Sequence, residues 1–145
     1  MSNMIGARAP MWFRGAALLG LLWNAFGVYM YLKSVGMFGD PLAGLDPAHA
    51  DLARTVPAWL TGVFAVAVFA GLLGSLWMVA GKKLASPLLL LSLLAVIVQS
   101  VWIVLVSNAR AVEGAMALVM PLVITGVAAL LLWLASKGSV KGWLA

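Results

Sequence analysis

The sequence has no cysteine, a single histidine, four acidic residues and a charged fraction of only 9%. Each shortage closes off a kind of chemistry. Without cysteine there are no disulfides, thiolate metal sites, iron–sulfur clusters or thiol nucleophiles. His49 is the lone imidazole, and no apolar run has Asp, Glu, Lys, Arg or His at its middle, so neither a general acid–base pair nor a membrane proton relay is visible. These absences speak against an enzyme, a metal site and a bound cofactor. A soluble domain carries roughly 25% charged residues. A chain of 145 residues that is 65% hydrophobic could not hide its apolar surface from water, and so belongs in a bilayer.

What is present is four long apolar runs, at about 12–32, 57–79, 88–106 and 116–134. Each meets the roughly 20 helical residues needed to cross a hydrocarbon core about 30 Å thick. The expected fold is therefore an all-α membrane protein, a single four-helix transmembrane domain over residues 1–145. The connections hold the charges and breakers: a long loop at 33–56, a tight turn at 80–87, a shorter loop at 107–115 and a tail at 135–145. The first run is too long for a cleaved leader, and no small-residue cleavage site follows it convincingly.

The formal net charge of +5 invites a nucleic-acid reading, but the basic residues sit in short tails and one turn rather than in a stripe with interleaved aromatics. Membrane topology explains them better. With the amino terminus inside, Arg8, Arg14, Lys82, Lys83, Lys137 and Lys141 are cytoplasmic, against Lys33, Arg54 and Arg110 outside. Positive residues are retained on the cytoplasmic side, which favours both termini inside. Asp40, Asp46, Asp51 and Glu113 then all lie outside. Trp12, Phe13, Trp77 and Trp133 fall near the inner boundary and Tyr29, Tyr31, Trp59 and Trp102 toward the outer one, as an anchoring belt. Trp23 lies deeper and is the best member of any ligand cage. In the long loop, Asp46 can cap a short surface helix with Pro47 at its first position. His49, beside Asp46 and Asp51, reads as a solvated loop histidine, and the stretch from Lys137 to Leu144 as an inner-surface anchor.

The two halves resemble one another. Residues 57–65 align with 121–129, matching Pro57, Thr61 and Gly62 to Pro121, Thr125 and Gly126, and residues 28–34 align less closely with 101–107. A parallel duplication of a two-helix unit would give a pseudo-twofold axis along the membrane normal, unlike the inverted repeats of many carriers. Pro121 also predicts a kink, with Thr125 one turn on to ease the backbone.

Two groups of intramembrane residues carry functional expectations. Asn24, Gln99 and Thr125 count to a similar depth and, with Trp23, form either interhelical hydrogen-bonding glue or a site for a neutral polar substrate or quinone-like headgroup. Ala16 and Gly20 precede Asn24 at spacing four on the first span, and Ala67, Gly71 and Ser75 repeat that spacing on the second. Such stripes let helix backbones approach closely, toward helices of this chain or of another protein.

The stretches Leu22-Trp23-Asn24, Pro57-Ala58-Trp59, Thr61-Gly62, Val98-Gln99, Ser107-Asn108-Ala109, Met120-Pro121 and Lys141-Gly142-Trp143-Leu144 resemble a family of small four-span bacterial inner-membrane proteins. Its members often carry the label "sugar transporter". The resemblance covers most of the chain and implies location in the bacterial inner membrane, but brings no established site residues. The chain lacks the early membrane glutamate of small multidrug carriers and the Pro-Gln dipeptide of SWEET carriers.

Two functions follow as expectations. The first is a non-catalytic accessory or assembly subunit, partnered by the bilayer and by another protein or further copies of itself, for which Gly20→Leu or Gly71→Leu disrupts association. The alternative is a small oligomeric facilitator of a neutral solute such as a sugar, with Trp23, Asn24, Gln99 and Thr125 at the site.

Overall fold

The computed structural model describes residues 9–145; Arg8, one of the charges that orients the chain, lies outside the described residues. Six helices follow in order: α1 (Met11–Ser34), α2 (Pro47–Arg54), α3 (Ala58–Val79), α4 (Ala85–Leu105), α5 (Ala109–Glu113) and α6 (Met116–Val140). Among the described residues there is no strand. The protein is all-α, and α1, α3, α4 and α6 are each long and apolar enough to span a membrane. Each half of the chain runs long helix, short helix, long helix. Within that likeness the aligned prolines differ in place: Pro57 stands ahead of α3 as its N-cap, whereas Pro121 is buried inside α6.

Proline and glycine set the helix ends. Pro10 and Pro57 hold extended backbone just before α1 and α3. Gly81 and Gly142 adopt positive φ after α3 and α6, where a side chain would be strained. At both ends the next residue's N–H reaches back five residues, Lys82 to the Trp77 carbonyl and Trp143 to that of Gly138, and so closes the helix. The two turns then meet. Ala145 N–H donates to the Gly81 carbonyl at 2.7 Å, and Lys83 N–H donates to the Ala145 carbonyl at 3.0 Å.

The tail at 135–145 is thus not simply a surface anchor. Its helix continues through Val140, and Leu144, 1% exposed, turns under the bundle beside Phe13, Met78, Ala85 and Leu89. Phe13 likewise leaves the anchoring belt. It is 1% exposed and sits over Gly138, because Gly138 has no Cβ to hold it off. Trp12 and Trp133 remain outward-facing, with the Lys137 ammonium over both rings.

The long helices pack in a row, α1 on α3, α3 on α4 and α4 on α6. The row curls until α1 and α6 meet at the end that carries Phe13 and Gly138. There Gly20 receives Leu131, whose nearest methyl would lie 2.5 Å from a Cβ built on the glycine. Toward the other end α1 and α6 part.

Beyond the spans, α2 begins as its sequence dictates. Pro47 holds the first position, and the Asp46 carboxylate accepts from the His49 N–H at 3.1 Å and lies against the His49 ring. The hydrogen bonds from the His49 ring and backbone lower the Asp46 pKa below its ordinary carboxylate value. A lowered folded pKa contributes stability that is present above the ordinary value and lost as pH falls through the lowered one. Asp46→Ala should therefore speed hydrogen exchange at the His49 amide at neutral pH and leave the spans unchanged. Acidification below the carboxylate range should erase the difference between the two proteins.

Candidate functional site

Where α1 and α6 part, the four long helices enclose a cleft of about 280 Å³. One stripe of each helix lines it: Trp23, Asn24 and Gly27 of α1, Phe64 and Ala67 of α3, and further residues of α4 and α6. On α4 these are Leu89, Ser92, Val96 and Gln99, a single helical face. On α6 they run from Met120 to Leu131, about 16 Å of helix. The cleft is long and narrow, closed at the Gly20–Leu131 crossing and bordered along its seam by the exposed side chains of Trp23, Phe26, Met30 and Met120. Among the described residues, no charged one lines it.

The expected midplane cluster is split. Asn24 stands at the floor, where its side-chain N–H groups donate to the Gly20 carbonyl at 2.9 Å and to Ser75 Oγ at 3.1 Å. Gln99 lines the same cleft but is seven residues beyond Ser92, the α4 residue that shares the space over Gly71 with Asn24, and therefore about 10 Å further along. Part of this, about 4.5 Å, arises because α4 begins at Ala85, three residues before the apolar run at 88–106. Thr125 lies outside the cleft and pairs with Ser100 across the α4–α6 seam, at 3.2 Å between hydroxyl oxygens. Trp23, Asn24 and Gln99 are brought to one cavity; Thr125 is not.

The small-residue stripes are used within the chain. Gly71 leaves the space that the Asn24 amide and Ser92 occupy, and Ser75, fully buried, accepts from Asn24. Ala67 packs against Ala95 and Val96, while its carbonyl accepts from Ser92 Oγ at 2.6 Å. Ala16 borders the closed end. The close approach that these residues permit is α1 on α3 and α3 on α4, together with the Gly20–Leu131 crossing.

Sequence reasoning missed Ser92, Gly74 and Gly138. Ser92 had a signal, since it stands seven residues before Gln99 and so on the same helical face. Gly74 accepts Leu89 as Gly138 accepts Phe13, but neither continues a stripe of spacing four with a polar residue. Among the described residues no group of three or more His, Asp or Glu side chains is placed to hold a metal.

Compared with protein families, curated proteins and solved structures, the chain matches none. The likeness to small four-span bacterial proteins stands on its short motifs alone. Fold and composition together define an integral, multi-pass membrane protein.

Proposed function

We propose that this is a non-catalytic protein of the bacterial inner membrane, with both termini in the cytoplasm, that takes a neutral, bilayer-soluble molecule into the cleft between α1 and α6. The observation that carries the reading is the placing of Trp23, Asn24 and Gln99 on one uncharged cavity beside the parted helices. An ion would be left without a counter-charge there, at a high desolvation cost. A sugar is also a poor match. The Ser92 hydroxyl and both Asn24 N–H groups are already engaged, so most hydroxyls of a sugar ring would lose their partners, at about 1–3 kcal/mol each. The orientation rests on Arg14, Lys82, Lys83, Lys137 and Lys141 sharing one end of the bundle, opposite all four acids.

An accessory role is favoured by a separate feature. Gly62 lies in a shallow groove between α3 and α4, with open space where its Cβ would stand. Such a position admits a helix of another chain.

Native mass spectrometry of the protein, extracted in lipid nanodiscs from its own membrane, distinguishes the readings. The cleft reading expects a retained neutral molecule that Ala128→Phe, which fills the cleft from α6, displaces. Foreign subunits in fixed ratio, with no retained molecule sensitive to that substitution, would assign the accessory role.

A further inference from the structure

The hydrogen bonds at the floor of the cleft specify more than neutrality. An asparagine amide has two N–H donors and one carbonyl acceptor. Asn24 spends its donors on the Gly20 carbonyl and on Ser75 Oγ. The first of these bonds also settles which way the amide faces, because the Gly20 carbonyl can only accept and would repel Asn24 Oδ1. The oxygen therefore lies on the opposite side, over Gly71 and next to Ser92. Ser92 cannot serve it, since its own proton goes to the Ala67 carbonyl. Asn24 Oδ1 thus has no donor among the described residues, yet among those same residues no fully buried side-chain oxygen is left unpartnered. The two facts agree if the oxygen is open to the cleft that Asn24 lines.

We infer that the floor of the cleft is a hydroxyl-recognition site, and that its ligand is a bilayer-soluble alcohol or phenol donating its O–H to Asn24 Oδ1. This rests on the cleft reading and adds the polarity of the contact. A molecule whose polar atoms only accept, such as a ketone, quinone or ether, brings no proton to Asn24 and faces an oxygen with an oxygen. A site built around one hydrogen bond to a hydroxyl rejects the analogue that lacks it, because the buried partner is then left unpaired. The body of the ligand is apolar and slender. Trp23, Phe26 and Phe64 offer aromatic faces, Met30 and Met120 adaptable ones, and the space is long rather than round. The parted α1–α6 seam lets such a body arrive from the hydrocarbon without crossing water.

A matched pair of probes tests the inference: 2-naphthol and its methyl ether, 2-methoxynaphthalene, titrated into the protein in nanodiscs with binding to protein-free discs subtracted. The expected result is about tenfold tighter binding of the naphthol by the wild type, the equivalent of one hydrogen bond of about 1.4 kcal/mol. Asn24→Ala should abolish that preference, Thr125→Val, outside the cleft, should keep it, and Ala128→Phe should lose both probes. Equal binding of naphthol and ether by the wild type would overturn hydroxyl recognition while leaving the cleft reading intact, and it requires no variant to fold. A preference that survives Asn24→Ala and disappears in Gln99→Leu would overturn the assignment to Asn24. Failure of the wild type to bind either probe, or undiminished binding of both by Ala128→Phe, would overturn the cleft reading and this inference with it.

Discussion

Gly71→Leu should leave little folded protein, whereas Gly62→Leu should fold as the wild type does. A Cβ at Gly71 would already overlap the Asn24 amide and crowd Ser92 Oγ, while a Cβ at Gly62 meets nothing within 4 Å. Overpacking a tight core costs about 1–3 kcal/mol, and displacing Asn24 adds a further 1–3 for buried polar groups left unpaired. The combined loss, about 2–6 kcal/mol, is a large part of the stability of a small domain. Thermal unfolding in nanodiscs at high dilution provides the check. The structure moves the expected site of damage: from the sequence, Gly71→Leu disrupts contact between proteins, whereas here the collision is between α1, α3 and α4 of one chain. If Gly71→Leu unfolds at the wild-type temperature but lowers the mass of an oligomer, the stripe faces another chain and this packing is wrong.

Phe13→Ala should cost about 3 kcal/mol, and the neighbouring Trp12→Ala about 1 kcal/mol or less. The two aromatics are adjacent in sequence and 6.1 Å apart between ring centres, but Phe13 is 1% exposed and Trp12 51%. Phe13 fills the closed end of the bundle, between Gly138 and the Trp143 ring. Removing it opens a cavity where α1, α6 and the C-terminal turn meet, so Leu144 and Trp143 lose a packing partner together. Trp12 faces outward against Trp143 and under Lys137, and its loss removes only those edge contacts. Comparing the unfolding of the two variants in the same lipid separates packing from interfacial anchoring. Equal losses would mean that Phe13 belongs to the aromatic belt after all.

Much of the site was visible in the sequence as residue types, but its depth and grouping were not. Asn24 and Gln99 stood out because amides are expensive among apolar residues, and both line the cleft. Depth counted from the edge of each apolar run makes them level, but α4 begins three residues before its run, about 4.5 Å of helix, and the packing of α1 against its neighbours supplies the rest. Depth alone groups Thr125 with them. Position around the helix decides its neighbour, and that neighbour is Ser100. The cap of α2 was legible because Asp46, Pro47 and His49 act within four residues of one another.

Taken by itself, the sequence determined that the chain is an all-α membrane protein with four long apolar helices, the second of them entered at Pro57. These follow from local rules: backbone groups in lipid must pair within the helix, and proline restricts the backbone where it stands. Only the tertiary structure decided which faces meet. Lipid is as apolar as leucine, so no hydrophobic stripe points a membrane helix toward its neighbours, and complementarity between small residues and large ones makes the choice. That choice turns Gly20, Gly71 and Gly138 into seats for Leu131, Asn24 and Phe13, closes one end of the bundle, and leaves α1 and α6 apart at the cleft.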